Sequence, residues 1–322
     1  MVLTQFPNLH WLKKQIQENF NDQLSSNGRI LPQKGWPTVL LNVKTKAAER
    51  NQVKGPLSLF MNLKGKSVVQ VENKSVEIPE NCFFISNNRQ YYSLGIEEEV
   101  ETFNIHLGDN FLNRVSSGFA NSPEFLLDNG DGCPIPQFNF HNKLYFKTTQ
   151  FQEIIEKIYA LGKEGLLSNL QLEELLVELA LHLQIQENNL KESIAQIPTI
   201  KKSTREELKK KLFLATDYLY SFYNSNISLE ELAQVAGISK YHFLRLFKIV
   251  FGESPHQMLT AIRIKKAEEK LIYSSLSINE IAWLIGMENS SSFSRLFRKF
   301  HKIYPSKFRE KYRNLPQAAQ GN

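Results

Sequence analysis

Two stretches towards the C-terminus repeat one another, and a repeat of this kind leaves few folds open. Leu229–Met258 reads LEELAQVAGISKYHFLRLFKIVFGESPHQM, and Ile278–Phe308 reads INEIAWLIGMENSSSFSRLFRKFHKIYPSKF. Glu231, Leu232, Ala233 and Gly237 match Glu280, Ile281, Ala282 and Gly286 at an offset of 49. Phe243, Arg245, Leu246, Phe247 and Pro255 match Phe293, Arg295, Leu296, Phe297 and Pro305 at an offset of 50, so the second copy carries one inserted residue. Agreement at this many spaced positions marks one supersecondary unit used twice.

The physics of each copy is that of a helix-turn-helix. Ser228 is placed to cap a short first helix with acids in its first turn. Ala233 and Ala282 are small where two helices must cross. Gly237 and Gly286 are expected to end that helix in the left-handed conformation. Ser239 stands where it can cap the second helix. There Phe243, Leu246 and Phe247 face inward, leaving Lys240, Tyr241, Leu244, Arg245 and Lys248 on the other side. In the second copy that outward face is Asn289, Ser290, Ser291, Ser294 and Arg295. Such a face suits a major groove: Arg bonds guanine in a bidentate way, Ser bonds any base, and Tyr or Leu touches a thymine methyl. A solvated helix face is the alternative for any single one of these residues. Met258–Tyr273, with Leu259, Ile262, Ala267 and Leu271 on one side, predicts a long helix joining the copies. Helices entering successive major grooves on one face of DNA stand about 34 Å apart.

Charge agrees with this placement. The 322 residues carry a net +6, but residues 1–200 hold 18 basic and 22 acidic side chains, and residues 201–322 hold 21 and 11. A net −4 segment thus precedes a net +10 segment, the balance of one part that meets a polyanion and one that does not. No apolar run is long enough for a membrane helix and no secretory leader is expected, so the chain reads as cytoplasmic, with no membrane partner. Cys82 and Cys133, the two cysteines, read as small buried hydrophobes rather than a disulfide framework.

Upstream, Leu9, Leu12, Ile16 and Phe20 predict a helix over Asn8–Leu24. From about Arg29 to His106 the pattern is of short apolar runs: Val39–Val43, Leu57–Leu63, Val68–Val71, Cys82–Ile85, Tyr91–Leu94 and Val100–His106. Polar turns between them indicate an antiparallel sandwich or barrel. Helical period returns over about 142–191. There Leu172, Leu175, Leu176, Leu179 and Leu183 form a stripe that packs on the strand domain, pairs two subunits, or does both at once. The expected organisation is a sensor and dimerisation domain over 1–191, a linker over 192–206, a DNA-binding domain over 207–313 and a tail over 314–322. The fold class is α+β and multidomain.

On its repeated copies, its joining helix with Arg263, Ala267 and Leu271, and the runs Phe247–Pro255 and Phe293–Lys299 followed by Pro305, Phe308 and Arg309, the chain resembles the AraC/XylS family of bacterial transcription regulators. By that resemblance Lys240, Tyr241, Leu244 and Arg245, then Ser290, Ser291, Ser294 and Arg295, fall where the family's two recognition helices contact double-stranded DNA. Two positions depart from the family pattern. Met287 stands where an aromatic is usual. Lys302 stands where Gly is usual, at a cost of roughly 1 kcal/mol if the backbone stays left-handed. More weakly, VEIPENCFFISNNRQYYSL resembles part of the cupin-like sensor domain found upstream in many members. That likeness implies a small-molecule effector in a barrel, a sugar or related metabolite by family habit, and helices that make a homodimer. RNA polymerase is a further partner the resemblance implies.

The effector pocket is expected from Phe60, Tyr91, Tyr92, Phe103 and His106, whose alternative is ordinary core and surface. A metal enzyme needs clustered histidines with a carboxylate. His106 is the one histidine in the strand region, so no metal and no cofactor are expected. A DNA-repair protein with a reactive cysteine is a further alternative, but Cys82 sits in the apolar run CFFI with no Lys or His nearby. The chain reads as a non-enzyme: a DNA-binding regulator controlled by an effector, or one whose β domain serves protein contacts alone.

Overall fold

The computed structural model describes residues 2–7, 36–72, 74–120, 138–163, 169–198 and 201–313. The helix expected over Asn8–Leu24, Cys133 and the 314–322 tail lie outside the described residues. The chain divides into two compact units, Met1–Glu187 and Asn188–Asn322.

The first unit is built on two sheets. The larger joins β1 (Val2–Leu3), β2 (Val39–Thr45), β9 (Val100–Leu107), β4 (Leu57–Lys64), β7 (Cys82–Ser86) and β10 (Leu144–Phe146), in that order. The smaller runs β3 (Ala48–Lys54), β8 (Tyr91–Ile96), β5 (Ser67–Val71), β6 (Lys74–Ile78). All pairings are antiparallel except β1 with β2. Every apolar run picked out by the sequence is a strand. The strands it missed, β1, β3, β6 and β10, are edges, where a strand needs few apolar residues and charge discourages further pairing. β3 reads AERNQVK and buries Val53 alone.

Strand alternation gives the large sheet two buried faces. Leu57, Leu59, Met61, Phe83, Ile85, Phe103, Ile105 and Leu107 form one core with the helices α1 (Asp109–Ala120), α2 (Thr149–Lys163) and α3 (Asn169–Ala195). The opposite parity, Ser58, Phe60, Asn62, Phe84, Thr102, Asn104 and His106, is also buried. It faces the smaller sheet: the Phe60 and Tyr92 rings meet edge-on at 4.8 Å, and Asn62 Nδ2 donates to Ile78 O at 2.7 Å.

The leucine stripe of α3 takes one of its two expected roles. Leu176, Leu179 and Leu183 are buried in the sheet–helix core, and Leu172 and Leu175 pack against it. Leu172 and Leu175 keep partial exposure at the edge of that core. The helix also continues to Ala195 and the next begins at Lys202, so the 192–206 stretch is helical at both ends. Pro198 sits between them and prevents one helix from running through.

In the second unit α4 (Lys202–Ser221) precedes the first copy, α5 (Leu229–Val235) and α6 (Lys240–Phe251). The joining helix α7 (Pro255–Tyr273) leads to the second copy, α8 (Ile278–Leu284) and α9 (Ser290–His301), and α10 (Pro305–Arg313) follows. Along α7, Met258, Leu259 and Ile262 are buried, then Ile264, Ala267 and Leu271 join the core of the second copy with Ile281, Ala282, Ile285, Phe293, Phe297 and Phe308.

Candidate nucleic-acid interface

Both copies begin with a complete capping box. Ser228 Oγ accepts from Glu231 N at 3.1 Å while Glu231 accepts back from Ser228 N at 3.4 Å. Ser277 and Glu280 repeat the arrangement at 3.2 and 2.7 Å. Two amides without helical partners are satisfied at each start, which fixes where a helix too short to be stable alone begins. The turns close with Gly237 at φ +58° and Gly286 at φ +74°, as the sequence requires. Ser239 holds the N-cap position of α6 but makes no side-chain cap hydrogen bond, so its expected capping role is corrected.

On α6, Phe243, Leu246 and Phe247 are buried while Tyr241 is 81% exposed and Arg245 and Lys248 are exposed. Leu244 is half-buried, beside a groove that Lys248 also lines. The Lys240 ammonium pairs with Glu230 of α5. An exposed pair of this sort is weak and gives way to a phosphate readily.

On α9, Ser291 and Arg295 are exposed, and Ser290 and Ser294 half-exposed. Asn289 is the N-cap: its Oδ1 accepts from Ser291 N at 2.9 Å and Ser292 N at 3.2 Å. That oxygen is occupied in shaping the helix start, so Asn289 serves as a cap through Oδ1. Arg298 went unnoticed in the sequence although the offset of 50 maps it onto Lys248. It is exposed one turn beyond Ser294 and Arg295, with its guanidinium on Tyr304 Oη at 2.8 Å and 4.8 Å from that ring's centre.

The two departures from the expected pattern resolve simply. Met287 packs against the second copy's core. Lys302 ends α9 at φ +63°, ψ 0°, so the left-handed turn is kept without glycine, at about 1 kcal/mol.

In the first unit, Phe60, Tyr92 and His106 converge on a cavity of about 50 Å³ also lined by Trp36, Arg50 and Asn104. Tyr91 and Phe103 do not join them. Adjacent residues on a strand face opposite ways, so Tyr91 is 53% exposed while Tyr92 points in, and Phe103 takes the parity that meets Tyr159 in the sheet–helix core. Burial pushes the Tyr92 hydroxyl up to about 12 and the His106 ring down to about 4, so both are neutral. The Ser58 hydroxyl donates to Pro56 O at 2.8 Å. Its 2.8 Å contact with His106 Nδ1 therefore needs the imidazole proton on Nδ1, which leaves Nε2 as an acceptor.

Residues 232–311 match the family model described as a helix-turn-helix domain. The lactose operon transcription activator of Staphylococcus xylosus is 33% identical over 98 residues, covering 30% of this chain and 35% of that protein. An uncharacterised HTH-type transcriptional regulator of Staphylococcus aureus is 22% identical over 273 residues, 84% of this chain and 33% of its own length. The alignments thus span about a third of these curated relatives. A solved AraC-type regulator from Chromobacterium violaceum is 27% identical, with 34% of this chain and 96% of that one covered and a TM-score of 0.31. The second unit carries a DNA-binding helix-turn-helix domain. That domain is similar to those of AraC/XylS-type transcription regulators.

Proposed function

We propose that the chain is a sequence-specific transcriptional regulator that places α6 and α9 in successive major grooves of duplex DNA. The observation that carries this is the pair of capped, glycine-turned copies on one joining helix, each presenting an exposed arginine, Arg245 and Arg295, at the same repeat position. Lys240, Tyr241, Leu244 and Lys248 complete the first reading face, and Ser290, Ser291 and Ser294 the second. Arg245→Ala is expected to cost about 1–3 kcal/mol at the chain's selected site and to relax preference at one base pair. Gel-shift titration against single-base variants measures it. An equal loss on every sequence would make Arg245 a phosphate contact instead.

The cavity of the first unit is the seat of a small effector, a sugar or related metabolite, and the regulator works as a homodimer. Trp36, Phe60 and Tyr92 offer apolar ring faces, while Arg50, Asn104 and the His106 Nε2 offer polar groups, the mixture that a hydroxyl-bearing ring asks for. The lactose operon relative keeps a sugar within the expected class. The test is a thermal-shift screen of metabolites followed by operator titration with each hit. A compound that raises the melting point and changes operator affinity supports the reading. Silence across mono- and disaccharides and their phosphates removes it, and favours a β domain used for protein contacts.

A further inference from the structure

We infer that Arg263, acting on the turn at residues 223–225, fixes the distance and angle between the two recognition helices. The inference rests on reading α6 and α9 as a pair that engages one duplex together. Arg263 leaves the middle of α7 and donates from Nε to Tyr223 O and from an Nη to Ser225 O, both at 2.7 Å. These carbonyls belong to the turn between α4 and α5, ahead of the first copy. A planar guanidinium holds two acceptors at once and so sets orientation as well as distance.

The second copy rests on the same turn. A Cβ built on Gly286 would lie 2.3 Å from Asn224 O and 2.6 Å from its carbonyl carbon, far inside contact distance. The glycine that closes the α8–α9 turn therefore lies against the backbone that Arg263 holds. Gly237, its counterpart in the first copy, would meet nothing within 4 Å. Close approach is thus a property of this junction and not of the motif. Three elements, α7, the 223–225 turn and the 286 turn, meet beside the joining helix. A helix alone joins two bodies but leaves them free to bend and twist. A second point of contact, clamped by Arg263, removes that freedom. The turn has its own bond from Ser225 N to Phe222 O at 2.9 Å, so losing Arg263 frees the turn without abolishing it. Arg263 is a positioning residue: it serves DNA reading by holding the parts that read.

The expected consequence is intolerance of altered half-site spacing. One inserted base pair moves a half-site by about 3.4 Å and turns it by about 35°. A clamped pair cannot follow, and a hinged pair can. The experiment takes the full chain and a duplex selected by it from random DNA. It compares that duplex with versions one base pair longer or shorter between half-sites, and with one half-site alone. The wild type is expected to lose about tenfold or more on each respaced duplex. Arg263→Gln is expected to bind the half-site as before, to lose affinity on the native spacing, and to discriminate by about threefold or less. Arg263→Lys, which keeps one donor group, should fall between. Discrimination equal to wild type in Arg263→Gln overturns the inference. So does an equal fall on the half-site and the full site, the mark of a merely structural loss. If Arg263→Gln melts below the assay temperature, Arg263→Lys decides by the same ratios. A wild type indifferent to spacing would overturn the paired reading itself and the inference with it.

Discussion

Gly286→Ala is expected to destabilise the second unit by about 3 kcal/mol or more, while Gly237→Ala costs about 1 kcal/mol. Both glycines end the first helix of a helix-turn-helix, and both hold positive φ. The shared part of the cost is the strain of an L-residue in the left-handed region. The rest belongs to Gly286 alone. Its new methyl would sit 2.3 Å from Asn224 O, and a backbone oxygen cannot rotate away as a side chain could. Either the 223–225 turn moves, at the expense of the two Arg263 hydrogen bonds, or the second copy shifts on α7 and opens the core around Ile281 and Phe293. Each route loses buried contacts that nothing replaces. Urea unfolding of the two variants, followed by far-ultraviolet circular dichroism, gives the comparison. Equal costs would mean the turn yields freely and the close approach carries no load.

Between pH 7 and pH 4 the first unit is expected to lose up to about 3 kcal/mol through His106 alone. Burial lowers this ring from the ordinary 6.5 to about 4. In that window the unfolded chain binds a proton that the folded chain refuses. Stability from this source is complete above about 6.5, falls as the pH drops, and falls no further below about 4. The surroundings offer no relief to a charged ring. Ser58 is already committed to Pro56 O, Phe60 stands 5.9 Å away edge-on, and the cation lining the same cavity is Arg50. Many carboxylates titrate over the same range, so the readout is a difference between proteins. His106→Asn keeps a polar group towards Ser58 and removes the titration. Its stability, measured by urea unfolding from pH 7 to pH 4, should slope less than the wild type's. Parallel slopes would show that the ring takes its proton without cost.

Much of the DNA-binding unit is legible in the sequence because its constraints are local. A capping serine, a turn glycine and inward phenylalanines stand at fixed offsets, and repetition certifies each of them twice. What escapes there is tertiary. That Asn289 caps α9 follows from two amide hydrogen bonds, and an Asn outside a helix start looks the same in sequence. Arg298 was within reach, since Lys248 and the offset of 50 point to it. The first unit is harder. Tyr91 and Tyr92 cannot both face one cavity, so strand parity excludes one of them but does not say which. Phe103 and His106 are three apart on β9 and fall to opposite faces by the same rule. The leucines of α3 show an apolar face plainly, but only the surface that covers it decides between a core and a partner. Edge strands such as β3 carry too little apolar pattern to be seen at all.

The arginine that closes the first copy has a counterpart in the second, at a position the repeat does not predict. Arg309 on α10 donates to Leu271 O and Leu276 O, the carbonyls leading into α8, as Arg263 on α7 holds those leading into α5. The offset of 50 would place Arg263's partner at Arg313, not Arg309. The same task is kept while the address has drifted. For anyone grafting one reading head onto another regulator, the transplantable cassette is therefore longer than the motif. Cut at 228–251 or 277–301, each copy leaves its own fastener behind on the helix that follows.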